Sequence, residues 1–226
     1  MIPYKDDNPT RTFPFMTVGI ITLNTLVFLW EIMSPSGIEK VTYAYGAIPY
    51  YIITFKTDQQ PIPPVLTIFS AMFMHGGFFH IAGNMLYLWI FGNNIEDRLG
   101  HLRFVIFYIF CGIISAYAYA ITDPHSLIPM IGASGAISGI LGAYLLLFPR
   151  ASVHTIVFFG FFITTVKIPA FIVLIFWAVI QFVNGLIGTG VVQKGGVAWF
   201  AHIGGFLAGL LTIKLWLIGR TRTFWF

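Results

Sequence analysis

The sequence predicts an all-α membrane protein, a bundle of six transmembrane helices with both the N- and the C-terminus in the cytoplasm. Composition is the first observation: 58% of the 226 residues are hydrophobic, 9% are charged, and the mean hydropathy is +0.85. Such a chain cannot present a charged surface to water over most of its area. The second observation is a series of six apolar runs, each compared with the roughly 20 residues that a bilayer core requires.

The six predicted helices follow from the length of each apolar run. They cover residues 15–33, 78–95, 104–121, 134–148, 168–186 and 199–218. We expect one membrane domain over 15–219, with a short cytoplasmic segment (1–14) before it, from which no signal peptide is removed. A basic and aromatic tail (220–226) follows the domain.

Two connections need interpretation. Residues 34–77 contain five prolines and several tyrosines, which predicts a structured loop at the membrane interface. Residues 151–166 are apolar enough for a seventh span. A seventh crossing would put the N-termini of the helices that begin near Ser134 and His202 in opposite leaflets, so we interpret this stretch as an interfacial or re-entrant loop on the cytoplasmic side.

The charges predict orientation. The formal net charge is +4, and the basic residues lie in short segments between apolar runs, so a nucleic-acid partner is not expected. With the N-terminus inside, only Lys40, Lys56 and Lys194 lie outside, as the positive-inside rule requires. The single cysteine, Cys111, lies in an apolar run, which excludes a disulfide framework and a cysteine-based metal site.

A serine and a histidine open two of the predicted helices. Gly132-Ala133-Ser134-Gly135 opens the fourth helix, and Ala201-His202 lies in the first turn of the last. A hydroxyl with a base to accept its proton is the minimum equipment for nucleophilic acyl transfer. Small residues on both helices, including Gly135 and Gly205, would let the two backbones approach closely.

A further polar pair lies at the start of the second helix. His80 and Asn84 are four residues apart, hence on one helical face, and both can donate hydrogen bonds. With the backbone N–H of Ser134 they would form an oxyanion hole. The alternative for Asn84 is a hydrogen bond between packed helices. Glu96 and Arg98 lie about 18 Å further along this helix at 1.5 Å per residue, and we expect them to act structurally.

The positions of the acidic residues exclude two other catalytic classes. No carboxylate lies in the middle of a predicted span, so an aspartyl dyad and a zinc site of the His-Glu-x-x-His type are both ruled out. No acid is placed to orient His202, which predicts a Ser-His dyad rather than a triad. Neither a metal nor a cofactor is expected. Gln181 and Asn184, on the fifth helix, are interpreted as donors that pack helices together.

These motifs resemble those of the rhomboid intramembrane serine proteases. The residues that carry the resemblance are His80-x-x-x-Asn84, Glu96-Asp97-Arg98-Leu99-Gly100, Gly132-x-Ser134-Gly135 and Ala201-His202-x-x-Gly205. The resemblance implies that Ser134 is the nucleophile, that His202 is the general base, and that His80 and Asn84 bind the oxyanion. It also implies a mobile cap over the site at residues 185–198.

The chain departs from the family pattern at two places. Leu66-Thr67 stands where many rhomboids have a Trp-Arg pair in the first loop. Ser138 stands where many have an aromatic residue that stacks on the catalytic histidine. The loop must therefore be braced otherwise, and the family's stacking contact on His202 is not expected from position 138.

The resulting prediction is an intramembrane serine endopeptidase that cleaves single-span membrane proteins, within the bilayer, near the outer ends of their transmembrane helices. In a prokaryote it would lie in the plasma (inner) membrane. The alternative is a catalytically silent rhomboid-like protein that binds transmembrane segments for quality control or trafficking. The sequence does not predict an oligomeric state.

Overall fold

The computed structural model describes residues 2–56, 60–160, 162–188 and 198–219. Most of them are helical. The helices are α1 (Phe15–Met33), α2 (Gly37–Tyr45), α3 (Pro49–Thr54), α4 (Pro64–Ala71), α5 (Phe78–Tyr87), α6 (Asn93–Leu99), α7 (His101–Thr122), α8 (Ser134–Leu147), α9 (Ala170–Gly188) and α10 (Trp199–Trp216), and a π-helical turn (Leu88–Gly92) joins α5 to α6. The strands are β1 (Ile2–Asp6), β2 (Ser152–Phe159) and β3 (Phe162–Pro169).

Among the described residues, four helices are long and apolar enough to cross a membrane, namely α1, α7, α9 and α10. The other two predicted spans are also helical, but neither is a single long α-helix. The second is divided by the π-helical turn, and α8 has 14 residues, about 21 Å at 1.5 Å per residue. The helices therefore fit a membrane bundle, and the count of six spans stays a prediction.

The core is built around α8. Its residues from Gly135 to Tyr144 are all buried, and α7 and α10 pack against it. A helix that is apolar all round is covered either by other parts of the protein or by lipid, and α8 is enclosed by its neighbours in the bundle. By contrast, α9 exposes a row of large apolar side chains, among them Ile175 and Phe182, as expected of a helix that faces lipid.

Both ends of α1 are held by carboxylates. Pro14 provides no side-chain cap, and Glu96 on α6 takes that role: its carboxylate accepts hydrogen bonds from the N–H groups of Met16 (2.9 Å) and Thr17 (2.7 Å). Negative charge at a helix N-terminus satisfies free N–H groups and the helix dipole. At the other end, Glu31 accepts a hydrogen bond from the N–H of His75 (3.0 Å).

The prediction of an all-α fold is wrong at one end of the bundle. Residues 151–166 form neither a seventh span nor a re-entrant loop, because most of them belong to the antiparallel hairpin of β2 and β3. The short N-terminal segment supplies β1, which pairs with β2 and completes a three-stranded sheet in the order β1-β2-β3. Runs rich in Val, Ile and Thr around Gly160 are a hairpin signal, so the hairpin could have been predicted from the sequence.

A polar cluster fastens this sheet. Asp7 accepts hydrogen bonds from Lys167 Nζ (2.9 Å) on β3 and pairs with His154 Nε2 (2.6 Å) on β2. These hydrogen bonds, that of Lys167 foremost, lower the pKa of Asp7 below its ordinary value. The pairing joins the N-terminal segment to residues about 150 positions later in the chain.

The first loop is structured, as predicted, and contains α2, α3 and α4. Thr67, in the place of the family's Trp-Arg pair, is buried and bonds to the carbonyl of Pro64. The brace comes instead from Gln60, whose amide donates to the carbonyls of Tyr43 (3.0 Å) and Gly46 (2.9 Å). Next to it, Ala47 and Met130 exchange two backbone hydrogen bonds, which tie the loop to the segment before α8.

Candidate active site

The site lies where α8 and α10 begin, at the end of the bundle opposite the sheet. Ser134 is the first residue of α8, and His202 is the fourth of α10. The Oγ atom of Ser134 lies 2.7 Å from Nε2 of His202, within the reach that proton transfer from a nucleophile to its base requires. The structure therefore brings the predicted pair together.

Close packing of glycines makes this contact possible. A Cβ atom built on Gly205 would overlap the carbonyl oxygen of Gly135, and one built on Gly209 would overlap that of Gly139. The two helix backbones thus touch directly, as the small-residue pattern predicts. Because the contact begins within one turn of both Ser134 and His202, it sets the distance between them.

His80 is oriented to donate toward the serine. Its Nδ1 atom accepts a hydrogen bond from the N–H of Gly76 (3.4 Å), so Nδ1 carries a lone pair and the ring proton lies on Nε2. That Nε2 atom faces Gly132, where an added Cβ would lie 2.7 Å from it and 3.6 Å from Ser134 Oγ. Gly132 has φ +120°, a conformation that side chains disfavour, so glycine is required on both counts.

Asn84 brings a second donor. It is 7% exposed, and its Nδ2 atom has no hydrogen-bond partner among the described residues. Leaving a buried donor unsatisfied costs free energy, so an amide held in this state beside a cavity is available to a reacting group. The first N–H groups of α8, including that of Ser134, have no partner within the helix and add positive potential at the same point.

These groups share one cavity of about 780 Å³. His80, Asn84, Ser134 and His202 all line it, and the rest of the lining is largely apolar. A mostly apolar cavity with a few converging polar groups is the usual form of a substrate site. Its size fits a short stretch of polypeptide.

A comparison with known proteins then decides the family. The Rhomboid domain family model matches residues 64–219. The chain belongs to the rhomboid family. Together with the apolar helices, this membership identifies an integral membrane protein that crosses the bilayer more than once.

Relatives of this rhomboid occur in bacteria, plants and animals. It is 32% identical to Rhomboid protease GluP of Bacillus subtilis over 142 residues, which are 63% of this chain and 25% of that protein. It is 29% identical to RHOMBOID-like protein 1 of Arabidopsis thaliana over 189 residues, 83% of this chain and 41% of that protein. It is 33% identical to human Presenilin-associated rhomboid-like protein, mitochondrial, over 130 residues, 55% of this chain and 31% of that protein. The matches thus span from 25% to 41% of the length of these relatives.

In this rhomboid, aromatic rings reach His202 from helices other than α8. Ser138, on α8, bonds instead to the carbonyl of Ser134 (2.6 Å). The ring centroid of Trp177, on α9, lies 6.0 Å from that of His202, and the ring of Trp199 meets it edge-on at 6.2 Å. The two tryptophans supply the contact that the missing aromatic residue would have made.

Sequence reasoning missed one polar contact of the dyad. Gln181, interpreted above as a packing donor, places Oε1 2.7 Å from Nδ1 of His202. A polar side chain inside a spanning helix is by default a functional candidate with a partner to be named, and that was the available signal. The predicted cap at 185–198 lies largely outside the described residues, and the tail at 220–226 lies wholly outside them.

Proposed function

We propose that this rhomboid is an intramembrane serine endopeptidase that hydrolyses peptide bonds in or near the outer ends of transmembrane helices. One observation carries the proposal: the Ser134 hydroxyl lies 2.7 Å from a ring nitrogen of His202, in a cavity that also holds two further hydrogen-bond donors. The Rhomboid protease GluP is a relative whose name includes this activity, which supports the same function.

The reaction follows the order of an acyl transfer. Nε2 of His202 takes the proton of Ser134 as Oγ attacks the scissile carbonyl, and the carbonyl oxygen becomes an oxyanion. Nδ2 of Asn84, Nε2–H of His80 and the N–H of Ser134 donate to it. His202 then protonates the leaving amine, and water hydrolyses the acyl-enzyme by the same steps.

The depth of Ser134 selects the substrate. We place the start of α8 below the outer membrane surface, because its 14 residues, about 21 Å at 1.5 Å per residue, fall short of a hydrocarbon core of about 30 Å and Arg150 follows its inner end. A peptide bond must then leave its helix to reach Oγ, since helical N–H and C=O groups are shielded. Single-span proteins with Gly, Pro or other weak helix formers near the outer end of the span should therefore be cleaved most readily.

A fluorophosphonate probe and a single-span substrate test the proposal together. We expect the purified protein to be labelled at Ser134 and to cut the substrate in its outer third, as mapped by mass spectrometry. Ser134→Ala and His202→Ala should each abolish cutting while the protein remains folded, because nucleophile and base act as one unit. Absence of labelling and cutting by the wild type would favour the silent binding protein instead.

A further inference from the structure

The candidate for an additional role is Gln181 on α9. It is 6% exposed, and its Oε1 atom lies 2.7 Å from Nδ1 of His202, on the side of the ring opposite Ser134. We infer that Gln181 is a positioning residue that fixes the tautomer and orientation of His202. The inference rests on the proposed function, because a tautomer matters only if His202 acts as a base.

The chemistry follows from the two ring nitrogens. A neutral imidazole carries one proton, and only the nitrogen without it can accept the proton of Ser134. The amide oxygen of Gln181 is an acceptor, so it places the proton on Nδ1 and leaves the lone pair on Nε2, which faces Ser134. The opposite tautomer would present an N–H group to the serine and could not act as its base.

After proton transfer the same hydrogen bond persists. The imidazolium donates from Nδ1 to Oε1 of Gln181, which keeps the ring fixed while Nε2–H turns from base to acid. Carboxylates do this in serine proteases of the triad type. Among the described residues, the titratable side chain whose charge acts on His202 is His80, and the group at Nδ1 of His202 is a neutral amide.

A second contact from α9 supports the assignment. Trp177 lies one helical turn before Gln181, and its ring packs against the ring of His202 at 6.0 Å. Residues four apart lie on one face of a helix. This face of α9 therefore holds the histidine by its ring surface and by its second nitrogen, which together define a single orientation.

The test compares Gln181→Met, which keeps the size of the side chain and removes the acceptor, with Gln181→Glu, which restores one. The rate of fluorophosphonate labelling is the primary readout, because a small probe needs the base and not the passage of a helix. We expect Gln181→Met to label more slowly, by less than the roughly 10⁴-fold that loss of the orienting carboxylate costs in a triad, because a neutral amide orients the ring without a charge. The variant should also lower kcat far more than it changes KM. Asn184→Leu, which replaces the other amide of α9, should label at the wild-type rate.

Gln181→Glu separates orientation from packing. A carboxylate stabilises the imidazolium, so the variant should recover labelling and show an acid limb of the pH profile at higher pH than the wild type. Labelling of Gln181→Met at the wild-type rate would overturn the inference, as would a Gln181→Glu variant no faster than Gln181→Met at any pH. If the wild type itself does not label, the proposed function fails instead.

A measurement on the unaltered ring avoids any folding defect of the variants. Nitrogen NMR of the wild type labelled with ¹⁵N-histidine, with Ser134→Ala used for assignment, distinguishes the two neutral tautomers. We expect His202 to carry its proton on Nδ1. A proton on Nε2 in the neutral ring would refute the role of Gln181 whatever the variants do.

Discussion

At the scale of single residues, the buried amide of Asn84 distinguishes two interpretations of the cavity, namely an oxyanion hole and a gap in the packing. Among the described residues Nδ2 of Asn84 has no partner, which costs free energy in the folded protein, and that cost is recovered if the amide binds the charge that develops in the transition state. Packing alone would call for a partner on a neighbouring helix. The free donor therefore favours the catalytic role over the structural alternative.

We expect Asn84→Ala to lower kcat by about 10²–10³-fold with little change in KM, the usual effect of removing one oxyanion donor. Asn93→Ala is the control, since Asn93 lies on the same helical run about 14 Å away at 1.5 Å per residue. Steady-state kinetics on one substrate checks both. Unchanged turnover in Asn84→Ala would reduce the residue to helix packing.

Single residues also mark where the sequence was sufficient. His80 and Asn84 could be placed on one face from the sequence, because they lie four residues apart on one helix. The approach of Ser134 to His202, which lie on two helices, was predicted from the small residues on those helices. Gln181 could not be assigned a partner in this way. Its contact with His202 depends on how α9 leans against α10, and nothing local in the sequence fixes that angle.

At the scale of elements, the contact between α8 and α10 sets the distance between Ser134 and His202. The carbonyl of Gly139 occupies the position where a side chain on Gly209 would begin, and a backbone carbonyl cannot move aside as a flexible side chain can. Any added atom must separate the helices. Because Ser134 and His202 stand on these same helices, their hydrogen bond would lengthen with the separation.

We therefore expect Gly209→Ala to lose about 10²-fold in kcat/KM, the order of loss for a misplacement of about 1 Å, and to lower Tm, since overpacking costs about 1–3 kcal/mol. Gly19→Ala on α1 is the matched control, because nothing lies within 4 Å of a Cβ atom at that position. That variant should be as stable as the wild type or slightly more so. Equal behaviour of the two variants would contradict the role of the glycine contact.

The sheet is the element that sequence reasoning misinterpreted. Residues 151–166 were judged by their hydrophobicity, which makes a short apolar strand and a membrane-embedded loop look alike. The deciding partner is β1, at the other end of the chain, whose Lys5 pairs with His154. Because the two strands lie so far apart in the chain, neither segment carries a sequence pattern that identifies the other as its partner. The β-branched residues of β2 and β3 indicate the hairpin, whereas nothing in the sequence indicates that β1 pairs with it.

At the scale of the whole molecule, the two ends of the bundle differ in charge. The basic residues at the sheet end of the described chain are Lys5, Arg11, Arg98, Arg103, Arg150, Lys167 and Lys214, whereas Lys40 and Lys56 lie at the site end. The fold therefore gathers into one region the charges that the sequence distributes along the chain. Arg103 also donates to the carbonyls of Trp216 and Ile218 (both 3.0 Å), which fixes the last helix to this end.

This asymmetry predicts that the sheet faces the cytoplasm and the cavity opens outward, because lysine and arginine are retained on the cytoplasmic side during insertion. Two single substitutions to cysteine test it: Thr165→Cys on the sheet and Ser36→Cys in the first loop, both at exposed positions. The native Cys111 is buried, so an impermeant maleimide should report only the new thiol. In right-side-out vesicles we expect Ser36→Cys to react and Thr165→Cys to stay unlabelled until detergent is added, and in inverted vesicles the reverse. The opposite order would place the serine on the cytoplasmic side and require substrates to be cut near their inner ends, whereas labelling of both from one side would contradict the placement of the sheet and the first loop on opposite sides of the membrane.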